Sequence, residues 1–403
     1  MKVGELFAGY GGLGMAVKDV WPDAEVTWVS EFDKGPSKVL AHRFPDAPNL
    51  GDITKIDWTQ VPPVDVITGG SPCQDLSHAG KRQGMTDGTR SNLWVAMREA
   101  IATIRPRLVV WENVRGAFSA QADSAVEPCA GCVGDGRTDV LRALGRVLGD
   151  LSDLGYDTVW CGLRAADVGA PHNRFRVFVL AWDAAADPSS LGGYEAVKHD
   201  GRRSPEGDWR GVPDERDRDA LRTGSRGDLT LFKTPTSQLA VNGGSQHPDK
   251  RKAGGHGPTL ADEVEHLLPT PAVNDMGAAY TPETWDAWTD KMKAKHGNGN
   301  GHGKSLNIEA QRHAEKWGEY SAAITRWEHL NGPAPEPTAI STKGNPQLSA
   351  RFTEWMMGLE PGWITDVPGV TRNEALKMCG NGVVPQQGAA ALRWMLAQIE
   401  AAA

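Results

Sequence analysis

The chain has 403 residues, of which 39% are hydrophobic and 23% charged, so it can bury a large core in one domain or in two unequal ones. Its five cysteines are an odd number scattered along the sequence, which argues against a disulfide framework and favours a reducing compartment such as the cytoplasm. A net charge of −8 does not suggest nucleic-acid binding by the whole surface, and no apolar run approaches the ~20 residues that cross a bilayer.

The first predicted strand, Lys2 to Phe7, leads into a glycine-rich turn and then a helix. The turn carries a G-x-G-x-x-G pattern, in which glycines allow a tight bend and close approach of a ligand. Its glycines are Gly9, Gly11 and Gly14. Glu31 follows the predicted strand Glu25 to Ser30, at the spacing of an acid that accepts hydrogen bonds from ribose hydroxyls. The pattern alone leaves open a nicotinamide cofactor, S-adenosyl-L-methionine, or a turn that binds nothing.

A short apolar run, Val64 to Thr68, is predicted to be a strand that delivers Cys73 to the edge of the sheet. Open α/β sheets bind ligands outside the carboxyl ends of their strands. Lys81 and Arg82 would raise the thiolate fraction on which the reactivity of a cysteine depends. A lone cysteine is more often buried and inert, and the context Gly70-Ser71-Pro72-Cys73-Gln74 is what favours a reactive thiol.

Charged side chains accompany the later predicted strands. Arg107 to Trp111 leads into Glu112, a carboxyl group at a strand end, where protonation of a substrate ring would need it. Arg174 and Arg176 lie where two strands meet, and without further context they would be read as a solvated face. Asp52 similarly has the ordinary interpretation of an aspartate that starts a turn.

Taken in order, these segments resemble the motifs of DNA cytosine-5 methyltransferases of the bacterial or phage type. The similarity covers roughly residues 1–183 and 346–397 and leaves the middle of the chain uncovered. The matching segments are Glu5-Leu-Phe-Ala-Gly-Tyr-Gly-Gly12, Pro72-Cys73-Gln74, Glu112-Asn113-Val114, Arg174-Phe-Arg176, Ser349 to Trp363, and Gly380-Asn-Gly-Val-Val384. One departure is His172, which stands where the family has glutamine.

The resemblance implies catalysis by Cys73, which would add to carbon 6 of a flipped cytosine, and by Glu112, which would act at ring nitrogen 3. It also implies that Arg174 and Arg176 contact the cytosine carbonyl and the DNA backbone. The implied cofactor is S-adenosyl-L-methionine, and no metal is expected. Its expected binding residues are Phe7, Gly9, Gly11, Glu31, Asp52, which would accept from the adenine amino group, and Asn381.

The resemblance implies a Rossmann-like α/β methyltransferase fold with a small inserted target-recognition domain. The expected parts are a catalytic domain (1–183), a flexible linker (184–229), the recognition domain (230–371) and a terminal segment that returns to the catalytic domain (372–403). Within the third part, Leu306 to Leu330 is predicted to be one helix. We expect a monomer that acts on double-stranded DNA away from any membrane, and a cognate restriction endonuclease is left open.

Two other functions remain open on the sequence alone. A nicotinamide-dependent oxidoreductase would use the glycine-rich turn, but it would leave the Pro-Cys-Gln and Glu-Asn-Val segments unexplained. A DNA-binding protein without turnover is disfavoured because Cys73 and Glu112 are both intact. The Cys129-Ala-Gly-Cys132 pair could contribute to a zinc site, but no second ligand pair follows, so a surface loop is favoured.

Overall fold

The computed structural model describes residues 1–71, 93–118, 143–185, 225–226, 229–240, 248–254, 257–265, 284–285, 287–291, 317–341 and 346–402. Cys73, Lys81, Arg82 and the Cys129–Cys132 pair lie outside these ranges. Most of the predicted linker and the first part of the predicted 306–330 helix lie outside them as well.

A six-stranded sheet with the order β2-β1-β3-β4-β6-β5 forms the centre of the fold. The first four strands are parallel, whereas β6 runs antiparallel to both β4 and β5. Strands β3 and β4 are almost wholly buried, which explains why they read as near-continuous apolar runs. The strands are β1 Lys2–Leu6, β2 Glu25–Ser30, β3 Val66–Gly69, β4 Leu108–Val114, β5 Tyr156–Arg164 and β6 Phe175–Asp183.

The order of the strands creates a crevice between β1 and β3. From β1 the chain goes first to β2 on one side and then to β3 on the other. Open α/β sheets bind ligands at such a reversal, outside the carboxyl ends of the strands. The glycine-rich turn follows β1, and the segment that leads to Cys73 follows β3. The topology therefore places the glycine-rich turn and residues 70–71 at the same crevice.

Helices cover both faces of the sheet. On one face, α1 (Gly12–Val20) packs on β1 and β3, α10 (Pro385–Ala402) packs on β5 and β6, and the two helices contact each other. On the other, α3 (Leu93–Ile104) and α4 (Ala143–Asp153) pack on Trp111 through side chains such as Trp94 and Val147. Helix α2 (Lys34–Arg43) follows β2. Within the described ranges, no helix has the length and apolar character needed to cross a membrane.

The remaining described residues form a smaller unit with an aromatic core. Phe232 stacks on Tyr320 at a centroid distance of 3.9 Å and meets Phe352 edge to face. The same apolar cluster includes Tyr10 from the glycine-rich turn. Its elements are β7 Ser225–Arg226, β8 Leu229–Thr230, α5 Pro248–Ala253, α6 Leu260–Glu265, α7 Ser321–Asn331, β9 Thr338–Ile340, β10 Pro346–Leu348 and α8 Ala350–Met356. Helix α9, Arg372–Asn381, begins the terminal segment and packs against α8.

The predicted single helix from Leu306 to Leu330 is wrong at residues 317–320. Helix α7 begins only at Ser321, after a short 3-10 turn. Gly318 has φ +51°, a left-handed conformation that a continuous α-helix does not contain. The predicted end of the helix is confirmed, since Gly332 with φ +75° follows the last helical residue, Asn331.

Candidate active site

The glycine-rich turn after β1 leaves space for a ligand. Gly9 and Gly11 have φ of +57° and +89°, the left-handed region that favours glycine. Phe7 also has a positive φ of +52°, which is uncommon for a bulky residue and tends to mark functional segments. No heavy atom of the described residues lies within 4 Å of a Cβ built on Gly9. The turn can therefore receive a ligand against its backbone.

The carboxylate of Glu31 is fixed beside this turn. Its Oε2 accepts from the backbone N–H of Gly9 at 2.9 Å, and its Oε1 accepts from that of Asp33 at 2.7 Å. Each carboxylate oxygen has a second acceptor position. Burial raises the pKa of Glu31, while the two N–H bonds and the Lys377 ammonium act against that rise. The structure thus brings Gly9 and Glu31 together in an arrangement suited to paired ribose hydroxyls.

Asn49 holds the segment that contains Asp52 beside the end of β2. Its Oδ1 accepts from the backbone N–H of Glu31 and of Gly51, both at 3.0 Å, and its Nδ2 donates to the carbonyl of Glu31. Asp52 accepts from Thr54 N–H and hydroxyl at 3.1 and 2.8 Å, which lowers the pKa of Asp52. Asp52 therefore starts a turn, as its ordinary interpretation holds, and lies in the segment that Asn49 ties to Glu31.

Two residues near the turn were missed in the sequence. Phe32, directly after Glu31, is 73% exposed, so its ring is accessible to a ligand beside the turn. Glu5 is buried in β1, where its Oε1 accepts from the first-turn N–H of Leu13 at 3.1 Å. Burial raises the pKa of Glu5 to about 8. Two signals in the sequence could have identified them: Phe32 is an aromatic residue directly after the acid that ends a strand, and Glu5 is an acid within an apolar strand.

Glu112 and Arg176 form a buried ion pair at the end of the sheet. Arg176 Nε lies 2.7 Å from Glu112 Oε1, and both side chains are nearly inaccessible. Arg176 is opposite Val114 in the antiparallel pair, so it is the diagonal neighbour of Glu112. Burial raises the pKa of Glu112, and the positive charges of Arg176 and then Arg174 oppose that rise. The carboxyl group can therefore hold a proton more readily than a surface glutamate does.

The segment that leads to Cys73 is fixed against Glu112. A Cβ on Gly70 would lie 2.7 Å from Glu112 Oε2, so any side chain at this position would displace the Glu112 carboxylate. Ser71 is buried, its hydroxyl accepts from Trp111 Nε1 at 3.1 Å, and its carbonyl accepts from Asn113 Nδ2 at 3.2 Å. The chain is thus held beside Glu112 up to two residues before Cys73.

Arg174 occupies a different environment from Arg176. It is 2% exposed and donates to the backbone carbonyls of Pro235 at 3.2 Å, of Gly380 at 3.0 Å and of Gly382. Asn381 is exposed between those two glycines, at the end of α9. The structure therefore brings the Asn381 segment close to the site and surrounds Arg174 with main chain.

His172 links the two parts of the molecule. Its ring is fully buried, and Nε2 lies 3.0 Å from the carbonyl of Met356 in α8. Burial lowers the pKa of His172 to about 3, so the ring is neutral near neutral pH and can donate through Nε2. His172, which departs from the family pattern, is thus a buried residue that hydrogen-bonds to the smaller unit rather than part of the open crevice.

Together these features define an open cradle, formed by the glycine-rich turn and Glu31, and a buried acid at one edge of an α/β sheet. In the portion of the chain that the structure describes, no group of three or more His, Cys, Asp or Glu side chains could hold a metal ion. A family model described as C-5 cytosine-specific DNA methylase matches residues 1–395. The chain therefore belongs to the C-5 cytosine-specific DNA methylase family.

Individual relatives are similar over part of their length. The type II methyltransferase M1.ScrFI of Lactococcus lactis subsp. cremoris is 32% identical over 182 residues, which is 45% of this chain and 41% of that protein. The orphan methyltransferase M.Rho11sI of Bacillus phage rho11s is 29% identical over 182 residues, 45% of this chain and 32% of that protein. These matches thus span about two-fifths or less of the relatives' own length.

A solved structure confirms the fold. The S. pombe Dnmt2 methyltransferase superposes with a TM-score of 0.52 at 13% sequence identity, and the alignment covers 99% of both chains. At that identity the likeness concerns the fold alone. The predicted Rossmann-like methyltransferase fold and the predicted family are both confirmed.

Proposed function

We propose that the protein transfers a methyl group from S-adenosyl-L-methionine to carbon 5 of a cytosine in double-stranded DNA. The observation that carries this proposal is the buried Glu112–Arg176 pair beside Gly70 and Ser71, the residues that lead to Cys73. This acid lies at the same sheet edge as the cofactor cradle. Family membership supports the reaction class.

The residues of the cradle fit the proposed cofactor. Glu31 would accept from the ribose hydroxyls, Phe32 would cover the adenine ring, and the Asp52 carboxylate would accept from the adenine amino group. Gly9, Gly11 and Phe7 would shape the turn that lies against the cofactor, with Asn381 close by. When bound, S-adenosyl-L-methionine supplies an electrophilic methyl group that carbon 5 of an activated cytosine can take.

The proposed chemistry uses Cys73 and Glu112 on the base. Carbon 5 of cytosine is a weak nucleophile, so the Cys73 thiolate adds to carbon 6 and forms an S–C bond. Glu112 gives its proton to ring nitrogen 3 as that bond forms, which leaves an electron-rich carbon 5. After methylation, which leaves S-adenosylhomocysteine, a base takes the proton on carbon 5. The electron pair of that C–H bond restores the carbon 5–carbon 6 double bond as the S–C bond breaks and Cys73 departs as thiolate, and nitrogen 3 returns its proton to Glu112.

Arg176 and base flipping complete the proposal. The ion pair with Arg176 holds the Glu112 carboxyl in one orientation and stabilises the carboxylate that remains after proton transfer. Carbon 6 and nitrogen 3 are inaccessible within a paired, stacked duplex. The target cytosine must therefore rotate out of the helix, at a cost of about a few kcal/mol of stacking and pairing.

The experiment that tests this function is a map of 5-methylcytosine in DNA from cells that express the chain. New 5-methylcytosine at one recurrent sequence is expected, with none in cells that express the Cys73→Ala variant. Methylation at an exocyclic nitrogen, or unmodified DNA despite abundant folded protein, would contradict the proposal.

We also propose the domain division and partners that the sequence suggests. Residues 1–183 and 372–403 would bind cofactor and base, 230–371 would read the target sequence, and 184–229 would join them.

The relatives of the chain include type II and orphan methyltransferases. A restriction endonuclease gene next to the gene for this protein would assign the protein to the type II methyltransferases. A cytoplasmic monomer is expected, and light scattering of the purified chain would measure its mass.

Phe32→Ala is expected to weaken binding of S-adenosylhomocysteine about 10-fold, because base–aromatic stacking contributes roughly 1–3 kcal/mol. Calorimetric titration of the purified protein would measure the change. Ile340→Ala is the matched control, since Ile340 is a comparably exposed apolar side chain, 70% accessible, in β9. An unchanged dissociation constant for Phe32→Ala would remove Phe32 from the proposed cofactor site.

The basic residues of α5, Lys250, Arg251 and Lys252, are expected to have two different roles, DNA contact for the lysines and stabilisation of the fold for the arginine. Lys250 and Lys252 are exposed, whereas Arg251 donates to the buried carboxylate of Asp262 at 3.0 Å, which also accepts from Thr259 N–H. Replacing both lysines with glutamine should reduce the slope of log affinity against log salt by about 0.9 per lysine, if each meets a phosphate. Titrations of duplex DNA at several salt concentrations would measure the slope.

Arg251→Gln serves as the contrast to the two lysine substitutions. Because it removes the positive charge that faces the buried Asp262 carboxylate, it is expected to lower the free energy of unfolding by about 3–5 kcal/mol. Equal losses of salt dependence from Lys250, Arg251 and Lys252 would contradict this division.

A further inference from the structure

Three segments that are far apart in sequence converge on Arg174. Its guanidinium donates to Pro235, in the loop of the smaller unit that follows β8, and to Gly380 and Gly382, at the end of α9. The backbone of Arg174 is held too, since its carbonyl accepts from Gln387 Nε2 at 2.9 Å and from Ala165 N–H at 2.9 Å. Arg174 therefore lies where the smaller unit, the sheet and the terminal segment meet.

Close backbone contacts continue from Arg174 toward the smaller unit. A Cβ on Gly380 would collide with the main chain of Thr236 and Ser237. The backbone of the 235–237 loop thus lies directly against the end of α9, with no side chain between them. A displacement of this loop would be transmitted to Gly380 with little loss, because packed backbones have no rotamers through which to absorb it.

The same contacts continue toward the cofactor turn. A Cβ on Gly382 would collide with the Tyr10 ring, and the Tyr10 hydroxyl donates to the carbonyl of Val383 at 2.6 Å. Tyr10 lies between Gly9 and Gly11, the two glycines of the turn with positive φ. Its own carbonyl accepts from Trp363 Nε1 at 3.0 Å. The path from Pro235 to the cofactor turn thus passes through Arg174 and residues 380–383.

We infer that Arg174 is a positioning residue that couples the loop at 234–237 of the smaller unit to the cofactor-binding turn at 9–13. This differs from the role in DNA contact that the resemblance implies for Arg174. The inference rests on the proposed function for its purpose: seating the recognition domain would shape the cofactor site. Its physical content, coupling between two segments of the free protein, does not depend on methyl transfer.

Lysine is the informative substitution because it keeps the positive charge but cannot reach several carbonyls with a rigid fork of donors. In the free Arg174→Lys protein, amide hydrogen exchange is expected to accelerate about 10-fold in both segments, consistent with the loss of hydrogen bonds to buried carbonyls. Useful reporters are Leu239 N–H, which donates to Thr236, and Gly11 N–H, which donates to Ala8. The dissociation constant for S-adenosylhomocysteine should rise by a similar factor.

Gly380→Ala provides a second variant that leaves Arg174 intact. It disturbs the contact with 236–237 without removing the Arg174 side chain, and we expect faster exchange at the Gly11 amide as well. The matched control is Arg326→Lys, since Arg326 also donates to two backbone carbonyls, those of Gly169 and Ala170 at 3.2 and 3.4 Å. This control should change neither segment.

The outcomes separate the two roles of Arg174. If Arg174→Lys and Gly380→Ala leave exchange at the cofactor turn unchanged, the coupling is absent and the inference is wrong. If Arg174→Lys instead weakens DNA binding and alters neither segment, Arg174 is a DNA contact. Should Arg174→Lys fail to fold, exchange in wild type decides. S-adenosylhomocysteine should then slow exchange at 236–239 as well as at 9–15, and slowing at 9–15 alone would overturn the inference.

Failure of the coupling can be distinguished from failure of the proposed function. A wild type that bound no S-adenosylhomocysteine would refute the proposed function, while amide exchange in the free Gly380→Ala protein would still decide the coupling.

Discussion

Cys73→Ala is expected to reduce methyl transfer to DNA by roughly 10⁴-fold or more, the scale seen when a covalent nucleophile is removed. The dissociation constant for S-adenosylhomocysteine should stay within twofold, because Cys73 is proposed to act on the base and not on the cofactor. Transfer of a labelled methyl group to duplex DNA, with calorimetry for the cofactor, would measure both quantities.

Cys161→Ala is the control for this substitution. Cys161 is buried in β5, and burial raises the pKa of its thiol to about 12, so it remains a protonated, unreactive side chain. The Cys161→Ala variant should therefore keep its activity. Residual activity of Cys73→Ala near that of Cys161→Ala would exclude the proposed covalent step.

Glu112→Gln is expected to lower kcat by about 10²–10⁴-fold, the usual contribution of a positioned general acid. Glutamine has nearly the same shape and can still accept from Arg176, so the affinity for DNA should change only severalfold. Single-turnover kinetics with saturating DNA would separate the chemical step from binding. Parallel losses of binding and rate would make Glu112 a positioning residue instead.

The pH dependence gives a second test of Glu112. Burial raises its pKa, and the Arg176 charge opposes that rise. The proposed step needs the protonated carboxyl, so the rate should fall as pH rises through this raised pKa. Replacing Arg176 with glutamine removes the opposing charge and should raise the pKa further. The alkaline limb of kcat should then move to higher pH while its maximum falls, and a shift to lower pH would contradict the assignment.

Much of the catalytic sheet could be predicted from the sequence because its local signals agree with its tertiary structure. The apolar runs of β3 and β4 indicated buried parallel strands, and the glycines after β1 marked a turn that needs positive φ. Glu31 was predicted from its spacing, and the structure brings it to Gly9 at 2.9 Å. Short-range patterns were sufficient at these positions.

Arg174 could not be assigned in the same way. Arg174 and Arg176 are two residues apart and looked equivalent in the sequence. Arg176 pairs with a carboxylate on the adjacent strand, whereas Arg174 donates to carbonyls that are 61 to 208 residues away in the sequence. No local pattern encodes such partners. The helix predicted from Leu306 was extended too far for a related reason, since periodicity did not reveal the left-handed Gly318.

The most direct test of the central claim is covalent trapping of the enzyme on DNA. A duplex with 5-fluorocytosine at the mapped target position, incubated with wild type and S-adenosyl-L-methionine, should give a denaturation-resistant adduct, because fluorine cannot leave carbon 5 as a proton does. Peptide mass spectrometry should place the bond on Cys73, and Cys73→Ala should give no adduct. Turnover on the unfluorinated duplex without any adduct on the fluorinated one, or an adduct on another residue, would contradict the account.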